Sequence, residues 1–177
     1  MGLVRWIRIS KAKTKSICIQ KGAREASMSF KDRSIFHNMA IGSEMEETVL
    51  CYFIDDKLYN ITFLFCPENE TYQDFIKLFK KTESILIQKY GKPISSERIY
   101  EGKYKAGDGN DQMTLIRNGF LRLEEYWINS DNLNEVQLGI GHVIVGLDQP
   151  YVYLSYGDGE LSQKALIEEE NKNKIEF

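Results

Sequence analysis

The sequence predicts an α+β fold: an antiparallel sheet covered by one long helix, about 70–90, in a two-layer sandwich. Three observations lead there. Two β-branched and aromatic runs flank the acidic pair Asp55-Asp56. One strongly amphipathic stretch follows and stops at Gly91 and Pro93. Beyond it lie short apolar runs separated by turn residues, with no second strong internal helix, which disfavours a parallel α/β sheet.

Taken in chain order, residues 3–20 fit either a hairpin or a helix. In the hairpin reading, Leu3–Ile9 and Lys15–Gln20 are strands around the polar turn Ser10–Thr14, and the Ile17-Cys18-Ile19 run favours it. The helical stripe of Leu3, Trp6, Ile7 and Ile17 is interrupted by Arg8, Lys11 and Thr14. From Lys21 to Ser43 only a short strand around Ile35-Phe36 is suggested. Thr48–Ile54 and Lys57–Phe65 then form a hairpin, and both faces of its first strand are apolar.

Pro67 closes the second of these strands. Asn69 or Thr71 caps the helix, with Asp74 three residues after Thr71. Tyr72, Phe75, Ile76, Phe79, Leu86 and Tyr90 recur at helical spacing, and Gly91 supplies the left-handed stop. Ser95–Tyr104 reads as extended, and Ala106–Asp111 as a loop. Gln112–Arg117 and Phe120–Ile128 read as strands around Asn118-Gly119, a two-residue hairpin signal. Glu135–Ile140 and Pro150–Tyr156 are further strands, the latter closed by Gly157-Asp158-Gly159. The chain from Leu161 starts as a short helix and becomes a charged tail.

At 177 residues the chain is one domain: a basic segment (1–43), an acidic α+β core (44–160) and the charged tail (161–177). Its net charge of −3 conceals an asymmetry. Residues 1–33 hold nine basic and two acidic groups, a surplus of seven, while the remainder holds 14 basic and 24 acidic groups, a deficit of ten. Within the basic segment, Arg5, Arg8, Lys11, Lys13 and Lys15 are the candidate contacts to a partner or an anion. Such an arm can bind nucleic acid or an anionic membrane through counterion release, or lie across its own acidic body. The sequence favours an intramolecular or merely solvated basic face.

The arginines in Leu3–Ser10 break any signal-peptide core, and no apolar run reaches the roughly 18–20 residues of a membrane span. The chain as given therefore reads as cytoplasmic, or as exported if a signal sequence has been removed.

The order of strand, acidic turn with Asp56-Lys57-Leu58, strand, and helix ending in Lys89-Tyr90-Gly91-Lys92-Pro93, followed by Trp127 and Val152–Tyr156 on strands, resembles a type of small bacterial α+β protein of unknown function. Such proteins are often exported or lipid-anchored. The resemblance covers roughly residues 48–156 and implies a fold rather than an activity.

Several chemistries find no footing. His37 and His142 are the only histidines, and neither has a second His or Cys at metal spacing. No Walker A loop, nucleophile elbow or dinucleotide fingerprint occurs. Cys18, Cys51 and Cys66 sit in apolar contexts, and Cys51 and Cys66 read as buried small hydrophobes. Asp108-Gly109-Asn110-Asp111 departs from a calcium loop at Met113 and Gly119. Glu124 and Glu125 are adjacent on a strand and point to opposite faces. Asp55-Asp56 and Asp158-Gly159-Glu160 are turn chemistry. The sequence thus points to no catalytic residue, cofactor or metal. Its leading functional expectation is a non-enzymatic module that binds a protein through the acidic body and a sheet bearing Tyr100, Tyr104, Tyr126, Tyr151, Tyr153 and Tyr156. The alternatives are nucleic-acid or anionic-membrane binding through residues 1–33, and a small enzyme whose scattered carboxylates are assembled by the fold.

Overall fold

The computed structural model describes residues 7–27, 30–39, 48–67, 69–129, 134–141 and 149–175. The described residues form an α+β protein with one eight-stranded antiparallel sheet and four helices. The elements are α1 (Lys11–Gln20), β1 (Arg24–Glu25), β2 (Arg33–His37), β3 (Thr48–Ile54), β4 (Lys57–Phe65), α2 (Tyr72–Tyr90), β5 (Ser95–Tyr100), α3 (Gln112–Arg117), β6 (Leu121–Asn129), β7 (Asn134–Gly141), β8 (Tyr151–Asp158) and α4 (Gly159–Ile175). Strand order is β1-β2-β3-β4-β8-β7-β6-β5. The described residues group into two compact units, drawn from Met1–Phe63, Asn129–Glu135 and Ser155–Phe177, and from Leu64–Ile128 and Val136–Leu154.

In the first unit the β3–β4 hairpin forms where the sequence places it. Asp55 and Asp56 both adopt left-handed backbone (φ 48° and 62°), the double positive φ that a tight hairpin turn requires. The expected hairpin over residues 3–20 is not found among the described residues. Ser10 instead caps a helix, its hydroxyl accepting from the Lys13 N–H, and the Thr14 hydroxyl donates back to the Ser10 carbonyl. The helix buries Thr14 and Cys18, an i,i+4 pair of small side chains, while Ile19 stays exposed. Only the stretch before it is strand-like: the Arg8 N–H donates to the Leu58 carbonyl, and the Leu58 N–H donates to the Ile9 carbonyl.

In the second unit α2 is capped as expected. The Thr71 hydroxyl accepts from the Asp74 N–H, and Gly91 (φ 81°) ends the helix. Phe75, Phe79 and Leu86 are its buried stripe, and Trp127 on β6 donates its indole N–H to the Gly91 carbonyl at 2.9 Å. The strand expected at Gln112–Arg117 is the helix α3. Asp111 caps it by accepting from the Thr114 N–H, and Asn118-Gly119 serves as its C-terminal stop rather than a hairpin turn. The Gly119 N–H reaches the Ile116 carbonyl and the Phe120 N–H reaches the Leu115 carbonyl, the paired bonds of a Schellman motif, with Gly119 at φ 72°. The expectation of one long helix is also corrected: besides the 19 residues of α2, α4 runs for 17.

Candidate functional site

The basic residues proposed from sequence fall in the first unit, with Arg5 outside the described residues. Arg8 donates from Nε to Asp158 Oδ2 at 2.6 Å and from Nη2 to Glu160 Oε2 at 2.7 Å. The Asp158 and Glu160 hydrogen bonds hold the guanidinium above its usual range. Burial alone would push the Asp158 carboxyl up, but the Arg8 hydrogen bond and the Leu161 N–H outweigh it and hold the carboxyl below its usual range. Lys11 donates to the Phe30 carbonyl at 2.7 Å and lies over the Phe53 ring. Lys15 pairs with Glu25 at 2.5 Å, and Lys13 is exposed. Of the four described, three are engaged with carboxylates and carbonyls of their own unit.

The residues that do converge belong to the second unit, on one face of its sheet. Alternation along β6 sends Arg122, Glu124 and Tyr126 to one side and Leu123, Glu125 and Trp127 to the other. On the first side, buried Tyr153 of β8 donates its hydroxyl to Glu124 Oε1 at 2.9 Å. Gln137 of β7 donates from Nε2 to the Tyr126 hydroxyl at 2.6 Å and to the Tyr153 hydroxyl at 3.3 Å. Arg122 reaches Glu124 at 3.3 Å and Glu101 at 3.1 Å. The Tyr153 ring lies across Gly139, where any Cβ would overlap it, so the glycine is what lets the phenol reach Glu124. Burial first, and the Glu124 carboxylate second, push the Tyr153 phenol far above its ordinary range; Tyr126 is raised by the same causes. Both phenols are therefore proton donors that stay protonated through the neutral range, and their role toward Glu124 is to hold it in place.

Register adds a residue to this face that the sequence reading did not single out. Glu97 of β5 stands directly opposite Glu124, and Ile99 opposite Arg122. On the reverse side the Glu125 carboxyl is buried beside α2. It accepts from the Ser96 hydroxyl at 3.2 Å, and burial, followed by the Glu83 carboxylate, raises its pKa. The opposite-face placement expected of Glu124 and Glu125 thus holds, with a different neighbour set for each.

Tyr151, Tyr153 and Tyr156 are buried, so they supply packing rather than a recognition surface; Tyr100, Tyr104 and Tyr126 are half-buried. Cys51 is buried as expected, and so is Cys18, but Cys66 is exposed because it sits where β4 has ended, next to Pro67. All three cysteines are free thiols. His37 accepts from or donates to the Thr48 hydroxyl at 3.1 Å, and His142 lies outside the described residues. In the 106–111 loop, Asp108 accepts from the Lys105 and Asn110 N–H groups and Asp111 caps α3, which is turn and cap chemistry. Among the described residues no group of three or more His, Cys, Asp or Glu side chains is placed to hold a metal ion, and no helix is long and apolar enough to cross a membrane. Comparison of the chain with protein-family models, curated proteins and solved structures gives no match.

Proposed function

We propose that the chain is a non-enzymatic protein-binding module, of the accessory or inhibitor kind, that presents an acidic surface to its partner. One observation supports this reading above the others. Three of the four described candidate cations, Arg8, Lys11 and Lys15, are engaged within their own unit, whereas Glu97 of the second unit is exposed and takes its hydrogen bond from the uncharged Ser95 hydroxyl, and Glu101, paired with Arg122, is exposed as well. In this reading the second unit is two-layered. Helix α2 covers the side of β6 that carries Glu125 and Trp127, and the side with Glu97, Glu101 and Arg122 opens toward the partner near β5. The weak likeness to small bacterial α+β proteins fits a module of this type. Protein interfaces of such modules are steered by charge, so association accelerates at low salt.

The test is affinity capture from the native host, followed by titration of the captured protein against the purified chain. A stoichiometric protein partner with a basic contact surface, bound more weakly as salt rises, is the expected outcome. Turnover on hydrolase and transferase substrate panels that Glu124→Gln abolishes would replace this reading with an enzyme. Capture of nucleic acid that is lost on Arg8→Ala and Lys13→Ala would replace it with the anion-binding alternative.

A further inference from the structure

Among the described residues strand β5 is the last strand of the sheet, and its pairing with β6 fixes which of its backbone groups are already used. The Glu101 N–H donates to the Phe120 carbonyl at 2.9 Å, continuing the register Ser95↔Tyr126 to Tyr100↔Leu121. In an antiparallel ladder, alternate residues bond the neighbour and the rest turn their N–H and C=O the other way. Glu97 and Ile99 therefore bond β6, and Ser96, Arg98 and Tyr100 direct their backbone groups to the outer edge. An edge of this kind is a template for one more strand.

The side chains along that edge say what kind of strand would fit. Glu97, Ile99 and Glu101 alternate on the face shared with Glu124 and Arg122. Glu97 stands directly opposite Glu124, and like charges in that position destabilise a strand pair. Arg122 serves Glu101 and Glu124, while Glu97 receives its hydrogen bond from the uncharged Ser95 hydroxyl. A cation arriving on the outer side of Glu97 would relieve that repulsion. A second copy of this edge would not, because two-fold pairing about this stretch sets Glu97 against Glu97 or Arg98 against Arg98.

We infer that the outer edge of β5 docks an extended basic segment of a partner protein, with two Lys or Arg residues four apart facing Glu97 and Glu101 and an apolar residue midway facing Ile99. This inference rests on the protein-binding reading and gives it a place and a partner pattern.

The probe is the peptide acetyl-Thr-Lys-Thr-Val-Thr-Lys-Thr-amide, with a control in which both lysines are glutamates. Amide chemical-shift changes on the isotope-labelled full chain are the readout. The lysine peptide is expected to shift the Ser96, Arg98 and Tyr100 amides and to bind at least tenfold more tightly than the control. Arg98→Pro removes one outward N–H without touching the β6 ladder, a substitution that edge strands tolerate. It should abolish binding while the melting curve stays cooperative, and Arg98→Ala should retain affinity within threefold. Equal binding to wild type and Arg98→Pro, or shifts confined to other residues, overturns the assignment. If the peptide leaves those amides unmoved while a captured partner still binds Arg98→Pro, the edge assignment falls and the protein-binding reading stands. If neither peptide nor partner binds, both fall.

Discussion

Replacing Gly139 with alanine puts a methyl group into space that the Tyr153 ring occupies, against Cζ, Oη and Cε1. The ring has little freedom to give way. Only 6% of Tyr153 is exposed, and its hydroxyl bonds both Glu124 and Gln137. If the ring stays, the overpacking costs about 1–3 kcal/mol. If it swings aside, the hydrogen bond to a charged acceptor is lost, at about 1.5–3 kcal/mol. Alanine recovers about 0.5–1 kcal/mol of the conformational cost of glycine in a strand. The net expectation is a destabilisation of about 0.5–2.5 kcal/mol, which for a chain of this size lowers Tm by about 1–10 °C. Urea and thermal melts of Gly139→Ala measure it directly. The same substitution made in a Tyr153→Ala background should cost nothing, since the obstructing ring is gone, and the difference between the two backgrounds is the coupling. A Gly139→Ala protein that melts with wild type, or that is equally destabilised in both backgrounds, would refute the placement of Tyr153 across Gly139.

Three further outcomes follow from the same packing. Burial, then Glu83, raises the Glu125 pKa in the fold, so the stability it contributes is complete below the unfolded carboxyl pKa of about 4.3 and is lost as pH rises through the folded value. Wild type should therefore lose more stability than Glu125→Gln between pH 4 and pH 8, in melts across that range, and equal slopes would contradict it. Gly119→Ala forces a methyl-bearing residue into φ 72° at the end of α3 and should cost about 1–2 kcal/mol in urea unfolding, against about 0.5 kcal/mol or less at an exposed helical control such as Ala12→Ser. In the native protein Cys66 should be the one thiol that a disulfide reagent reaches quickly, and burial raises its pKa, so its rate should still be climbing at pH 9. Cys18 and Cys51 are buried against each other and should react only on unfolding, as counted by mass spectrometry with and without urea.

Where local chemistry alone decides conformation, the sequence is readable. Asp55-Asp56 between two β-branched runs, Thr71 with Asp74, and Gly91 before Pro93 each name one structure, and β3, β4 and α2 follow them. Asn118-Gly119 names two. A hairpin turn and a helix C-terminus both call for positive φ, and the deciding signal lay upstream, in the Asp111–Thr114 cap. Helix α1 was hidden for another reason: its buried stripe is Thr14 and Cys18, too small and polar to register as amphipathic, while the β-branched Ile17 and Ile19 argued for strand. Of the converging polar face, the alternation of Arg122, Glu124 and Tyr126 is legible from β6 alone. Its partners are not. Tyr153 reaches Glu124, and Gln137 reaches Tyr126 and Tyr153, because β7 lies between β6 and β8 in the sheet; Glu97 comes opposite Glu124 because β5 pairs in a particular register, and no local pattern specifies strand order. The basic segment was legible as a charge excess, but its engagement with Asp158, Glu160 and Glu25 depends on contacts up to 152 residues away.

Amide hydrogen exchange of the chain, alone and with its captured partner, tests the protein-binding account most directly. Slowed exchange at Ser96, Arg98 and Tyr100, with α1 unchanged, is the result the account predicts. Protection confined to α1 around Lys11, Lys13 and Lys15, with β5 unchanged, would contradict it and return the function to the basic segment.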